Sequence, residues 1–303
     1  GCEEVYVHNC ARGVDGGDPD LLLSRLEADR YRWTDVFARE VNADRIDVRA
    51  GRSVAALDRL GTGRYGVAVS GYAAPLAFYE LGDDGEVTDM AEAVGLEVEG
   101  GCRSLLAVPY RSREGDLFAG VEGGPNRLFS NRDGHYDRTD GGPALSDPGG
   151  DTRGAALVDE GGTFALAVGN ESAPSRLLRC SPDGGYDDVA PPALRDVGAV
   201  RTVVAADFDN DGREELFFNV CGAENRLFER ADRPDGPTAW EPVDLGAAAE
   251  PDGFGTGAVA ADLDGDGALE LLVVHGEVAA QPVTAYADPT ASNAGWLRVR
   301  PTT

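Results

Sequence analysis

One pattern occurs twice and restricts the fold more than anything else in the chain. Phe254 to Val274 reads FGTGAVAADLDGDGALELLVV, in which two short apolar runs flank Asp262, Asp264, Asp266, Gly267 and Glu270. Carboxylates at the first, third, fifth and ninth places of a loop let alternate residues turn inward on a hard cation. Gly267 permits the sharp bend, the carbonyl of Ala268 offers a further oxygen, and Glu270 closes the shell. A helix–loop–helix hand needs amphipathic helices on both sides and a twelfth-place Glu, and neither is present. The stretch is a strand–loop–strand calcium loop. Val203 to Asn219, VVAADFDNDGREELFFN, repeats it with Asp207, Asp209, Asp211, Gly212 and Glu215, and with Arg213 at the carbonyl place. The second copy lies about fifty residues on, a period that indicates stacked units such as propeller blades.

With 303 residues, that period predicts an all-β chain, a single β-propeller domain of six or seven four-stranded blades. The blades fall at 1–50 (partial), 51–100, 101–150, 151–198, 199–252 and 253–303. The first unit carries EEVYVHN as its second strand, with further strands near Leu21–Leu23 and Trp33–Phe37. Its first residues match the middle of a loop: Gly1-Cys2-Glu3-Glu4-Val5-Tyr6-Val7 aligns with Gly212-Arg213-Glu214-Glu215-Leu216-Phe217-Phe218. The chain is therefore expected to be a fragment of something longer. The inner strand of its first blade is expected from upstream sequence or from another chain, because the one spare segment, Trp296 to Val299, is bulkier than the Val-Ala-Ala inner strands. In the second unit Arg59 falls where Asp264 falls in the last. The third has a degenerate loop around Tyr110 and Ser112 with Asp116 at the closing place, and the fourth a shortened loop at Asp159 to Thr163.

The 54 Asp and Glu against 27 Lys and Arg give a net charge of −27, and every one of the 27 cations is Arg. Such a surface repels nucleic acid and anionic membrane, which excludes both as partners. A hydrophobic content of 42% in regular β-branched and aromatic runs argues against disorder. No run of eighteen apolar residues is present, so direct membrane insertion is not expected. The five Cys form no CxxC pair and no dense disulfide framework. Cys2 and Cys10 bracket one strand and sit about 26 Å apart, too far for a bridge.

Phe254-Gly255, Gly257-Ala258 and the DLDGDG run resemble the FG-GAP repeat of integrin-type propellers. PNRLFSNRDGHYDRTD (Pro125 to Asp140), PSRLLRCSPDGGYDDVA (Pro174 to Ala190) and ENRLFER (Glu224 to Arg230) resemble the VCBS-type repeats of the cartilage acidic protein family. Asn293 and Trp296-Leu297-Arg298-Val299 resemble the start of the UnbV/ASPIC segment that follows the propeller there. The acidic, lysine-free composition resembles that of proteins from salt-loving archaea. The resemblance implies integrin-type calcium loops and an extracellular or cell-surface binding or adhesion role. Its partner would be a protein or glycan at the cell surface, or copies of the chain itself.

Little else points to chemistry. His8, His135 and His275 have no HxxxH or HExxH spacing, and no GxSxG, phosphate loop or dinucleotide fingerprint follows a strand. Asn170-Glu171-Ser172 is a glycosylation sequon that reads equally well as a polar loop. Two function classes stand: a calcium-stabilised binding module without enzymatic activity, and an enzyme, a lyase or glycoside hydrolase, working in the propeller's central cavity. A cluster of His, Arg, Tyr or carboxylate where several inner strands begin would favour the second. Val54-Ala55-Ala56, Ala155-Ala156, Ala205-Ala206 and Ala260-Ala261 favour the first.

Overall fold

The structure, a computed structural model, describes residues 4–9, 18–26, 29–45, 50–98, 100–109, 115–181, 184–231, 239–276 and 281–287. The fold is an all-β propeller of six blades, each an antiparallel meander in chain order. The first blade has three described strands, β1 (Glu4–Val7), β2 (Leu21–Leu26) and β3 (Asp29–Asp35). The second holds β4 (Gly51–Leu57), β5 (Gly66–Gly71), β6 (Ala74–Leu81) and β7 (Val87–Asp89). The third holds β8 (Cys102–Val108), β9 (Asp116–Val121), β10 (Arg127–Arg132) and β11 (His135–Thr139), and a short helix α1 (Gly142–Ser146) follows. The fourth holds β12 (Thr152–Asp159), β13 (Phe164–Asn170), β14 (Arg176–Cys180) and β15 (Tyr186–Asp188), then α2 (Pro192–Arg195). The fifth holds β16 (Val200–Ala206), β17 (Glu215–Val220), β18 (Arg226–Ala231) and β19 (Ala239–Val243). The sixth has three described strands, β20 (Gly255–Ala261), β21 (Glu270–His275) and β22 (Thr284–Tyr286). The segments Tyr110–Ser112, Trp296–Val299, Cys2 and Cys10 lie outside the described residues.

The chain divides into two compact units, Gly1–Gly141 with Ser146–Pro148, and Gly142–Leu145 with Gly149–Thr303. Within each unit the apolar core lies between neighbouring blades. In the first, Leu22, Phe37, Val69 and Tyr79 join blades one and two, and Leu57, Phe78, Leu117 and Tyr136 join two and three. In the second, Val158, Leu177, Phe218 and Trp240 join blades four and five, and Phe208, Phe217, Leu271 and Val273 join five and six. Burying one such Phe or Leu contributes about 1.5–3 kcal/mol. The second strands β9 and β17 are buried at every position, which is why DLFAGV and ELFFNV carry apolar residues on both faces.

The motif residues of the repeats hold turns. Asn126 and Asn225 each accept the amide of the last residue of the second strand, Val121 at 3.0 Å and Val220 at 2.9 Å. Asp35, Asp89 and Asp188 each accept two amides, one from the neighbouring third strand and one from the chain leaving the blade. A carboxylate oxygen that takes two amides fixes where a blade ends.

Candidate metal centre

The two acidic runs form the connections β16–β17 and β20–β21. In the first, the Asp211 amide donates to Asp207 Oδ1 at 3.1 Å and Asp209 Oδ1 at 2.9 Å, and the Gly212 amide to Asp207 Oδ2 at 3.0 Å. In the second, Gly265 donates to Asp262 at 2.7 Å and Asp266 to Asp264 at 3.0 Å. Glu215 and Glu270, the first residues of β17 and β21, accept the amides of Phe208 at 2.8 Å and Leu263 at 2.7 Å. Each loop passes through the left-handed region twice, at Asn210 (φ 59°) and Gly212 (φ 88°), and at Gly265 (φ 83°) and Gly267 (φ 90°). Asn tolerates that conformation nearly as well as Gly, so DFDNDG and DLDGDG build one loop.

This scaffold gathers Asp207, Asp209 and Glu215 into one triad and Asp262, Asp264 and Glu270 into another, with one carboxylate oxygen from each residue within 4.8 Å of the others. Asp211 and Asp266 lie outside the triads. Their carboxylates hold the Arg213 and Ala268 amides, each at 2.8 Å, and so close the turn that precedes the second strand. Glu215 is 6% exposed, and among the described residues no hydrogen bond reaches its second oxygen. Burial, with Asp209, Asp207 and Asp211 facing it, pushes its pKa up to about 7. A carboxylate held against two others in this way is costly to keep charged. All-oxygen donors fit a hard divalent cation, and the absence of His and Cys from the triads disfavours zinc and copper.

The corresponding loops of blades two and four are neutralised differently. In β4–β5, Asp58 accepts the amides of Thr62 at 3.0 Å and Gly63 at 2.6 Å. The strand register puts Arg59 at the second place, the Leu263 position, and Leu60 at the third, the Asp264 position where Arg59 was expected. Arg59 lays its guanidinium on Glu80 through two bonds of 2.6 and 3.0 Å, and on the Gly134 carbonyl at 3.2 Å. The hydrogen bond to Glu80 outweighs burial and raises the pKa of Arg59. In β12–β13, Asp159 accepts the amides of Gly161 and Gly162, which lower its pKa. Glu160 is held by Arg179 and by Trp240 Nε1 at 3.0 Å.

Two histidines are clasps. His275 has Pro282 O 2.7 Å from Nδ1 and Glu250 Oε2 2.9 Å from Nε2, and Glu250 also accepts Thr284 at 2.8 Å and Tyr286 at 2.5 Å. Both ring nitrogens face acceptors, so the imidazolium form satisfies both. His8 sits likewise between Asp20 Oδ2 at 2.6 Å and Ser70 O at 2.7 Å. His135 is exposed on β11.

The small inner strands hide a feature that the Val-Ala-Ala runs gave no sign of. Each inner strand from blade two to blade six has a register shift spanning its second residue, and the residues there are Arg52, Arg103, Arg153, Arg201 and Thr256. Arg52 lies over the Tyr72 ring, 5.0 Å from its centroid, and donates to Gly51 O. Arg103 makes two bonds to Glu122, and Arg153 and Arg201 both meet Glu171. The sequence signal was an arginine two residues before each Val/Leu/Ala-type run.

Asn170 is fully buried. Its amide nitrogen donates to Pro174 O at 2.8 Å and its oxygen accepts the Thr152 hydroxyl at 2.9 Å, so a glycan on that nitrogen and this turn exclude one another. Cys102 is buried, Cys221 half-buried and Cys180 exposed, all three as free thiols. Burial pushes the Cys102 thiol up to about 11. Among the described residues no helix is long and apolar enough to cross a membrane.

No family model matches the chain. It is similar to cartilage acidic protein 1 from Homo sapiens (37% identical), Mus musculus (36%) and Xenopus tropicalis (34%). Each similarity covers 100% of this chain and 50–51% of the relative, so the chain spans about half the length of the curated relatives it matches.

Proposed function

We propose that this chain is a binding module that works outside the cell, with blades five and six stabilised by calcium. The two carboxylate triads carry this reading. They are oxygen-only, they recur at equivalent loops, and one of them turns a buried, proton-hungry Glu215 on two aspartates. Calcium in such modules binds at about 10⁻⁴ to 10⁻³ M, which suits extracellular concentrations. The ion would join an inner strand to a second strand, so its role is structural. The FG-GAP and VCBS likeness, with similarity to cartilage acidic protein 1, supports loops that receive a protein, a glycan or a second copy of the chain.

An enzyme acting on an acidic substrate gains some support from the arginines that open the inner strands. It ranks second because Arg103, Arg153 and Arg201 already face carboxylates, and Arg52 a carbonyl and a ring. Metal content after exhaustive dialysis and calcium re-addition tests the first reading. We expect two ions per chain, and fewer than one rejects it. The proposed halophilic origin has a separate test. A net charge of −27 repels itself, and screening shortens from about 30 Å at 0.01 M salt to 3 Å at 1 M, so the unfolding midpoint should rise steeply with KCl at saturating calcium.

A further inference from the structure

The two acidic loops touch. Asn210, the fourth residue of the β16–β17 loop, donates its side-chain amide to the Gly267 carbonyl of the β20–β21 loop at 3.3 Å. A second connection runs beneath it. Phe208, between Asp207 and Asp209, is 6% exposed and shares a buried cluster with Leu271 and the half-buried Leu269, the residues on either side of Glu270. The backbone of Phe208 is in turn fixed by Glu215, which accepts its amide. Leu263, the equivalent of Phe208 in the second loop, is 55% exposed.

From these contacts we infer that the two triads bind divalent cations cooperatively, with Asn210 as the polar link and Phe208 as the apolar one. The inference rests on the calcium reading above. An ion drawing Asp207, Asp209 and Glu215 together orders the loop that carries both linking residues. Asn210 is then held in its left-handed conformation with its amide aimed at Gly267, and the Phe208 ring is held against the neighbours of Glu270. The second loop thus meets its ion with less ordering left to do. Linkage requires the converse: an ion at Asp262, Asp264 and Glu270 strengthens the first site by the same factor.

Calorimetric calcium titration of the metal-free chain tests this with three proteins. Wild type should take two ions with positive cooperativity. Asp262→Asn/Asp264→Asn, which disables the second triad, should weaken binding at the first roughly fivefold or more. Asn210→Gly keeps the left-handed turn, as Gly265 does in the other loop, and removes the linking amide. It should still take two ions, with the cooperativity reduced. Tryptophan fluorescence and far-ultraviolet circular dichroism establish that each variant is folded. Two ions bound independently in wild type, or an unchanged first site in the double variant, overturn the coupling and leave the metal reading standing. Equal cooperativity in wild type and Asn210→Gly removes Asn210 from the link. No binding to any of the three overturns both readings.

Discussion

The loops of blades five and six and those of blades two and four join the same pair of strands and begin with the same residue, an aspartate whose oxygens accept loop amides. Asp207 and Asp262 do this in one pair, Asp58 and Asp159 in the other. They differ in what answers the negative charge. Blade two has Leu60 where the metal-type loops have a third-place aspartate and pairs Arg59, at the second place, with Glu80, while blade four brings Arg179 to Glu160. In blades five and six the carboxylates converge on one another, and burial together with the facing aspartates pushes the pKa of Glu215 up to about 7. A guanidinium is a permanent cation carried by the chain itself. The arginine loops therefore carry their own counter-charge, while the triads set three carboxylates against one another, the arrangement that the proposed ion would answer.

The sharpest break in that comparison is expected from the metal. At a hundredfold excess over Kd, one bound ion stabilises the fold by about 2.7 kcal/mol. Asp264→Ala should therefore lower the unfolding midpoint in saturating calcium by roughly 5–10 °C and leave it nearly unchanged in a chelator. An equal loss in both conditions would mean that Asp264 matters only through its hydrogen bond to the Asp266 amide, and the two kinds of loop would not differ as argued.

The reciprocal experiment is smaller. Arg59→Met leaves Glu80 without its guanidinium at a site where Glu80 is 29% exposed, so the cost is about 1–2 kcal/mol. It should be the same with calcium and with chelator, because no triad lies in that loop. A loss that calcium rescues would show that blade two also takes an ion.

The repeat, the strand order and the two carboxylate loops were legible because a residue's place in a strand–loop–strand unit fixes both its face and its turn geometry. Leu21–Leu23 and the Glu4–Val7 part of EEVYVHN fall on β2 and β1 for that reason. Asp211 and Asp266 were assigned with the other carboxylates because alternation makes the fifth place inward too. In the structure one oxygen of each accepts the Arg213 or Ala268 amide, a backbone role that spacing does not encode. The arginines at the starts of the inner strands escaped notice because a bulge displaces them from the small-residue run, and the carboxylates that Arg103, Arg153 and Arg201 meet are distant in sequence, at Glu122 and Glu171. Asn170 matched a sequon, yet it serves the turn ending β13, where burial decides and sequence does not show it.

The smallest expected effect separates the chain's own clasp from its metal loops by pH. Burial lowers the pKa of His275, but the hydrogen bonds to Glu250 and the Pro282 carbonyl outweigh it and the net shift is upward. Its stabilisation is thus fully present below the ordinary histidine value of about 6.5, and is lost as pH rises through the higher folded value. Glu250 is shifted down on balance, by Tyr286, His275 and Thr284 against burial, so its share persists above about 4.5 and fails only in stronger acid. In chelator, Glu215 adds a trend of the same sign: a carboxyl with a raised folded pKa loses stability as pH climbs from the ordinary value of 4.5 to the folded value of about 7, and no more above it. A bare pH profile would therefore mix the two. The difference between wild type and His275→Gln at each pH cancels the Glu215 contribution. That difference should favour wild type by about 1 kcal/mol, one hydrogen bond's worth, near pH 6 and shrink towards pH 8.5. A difference that stays constant, or grows with pH, would mean that the neutral imidazole holds the clasp and that only the metal loops respond to protons in this range.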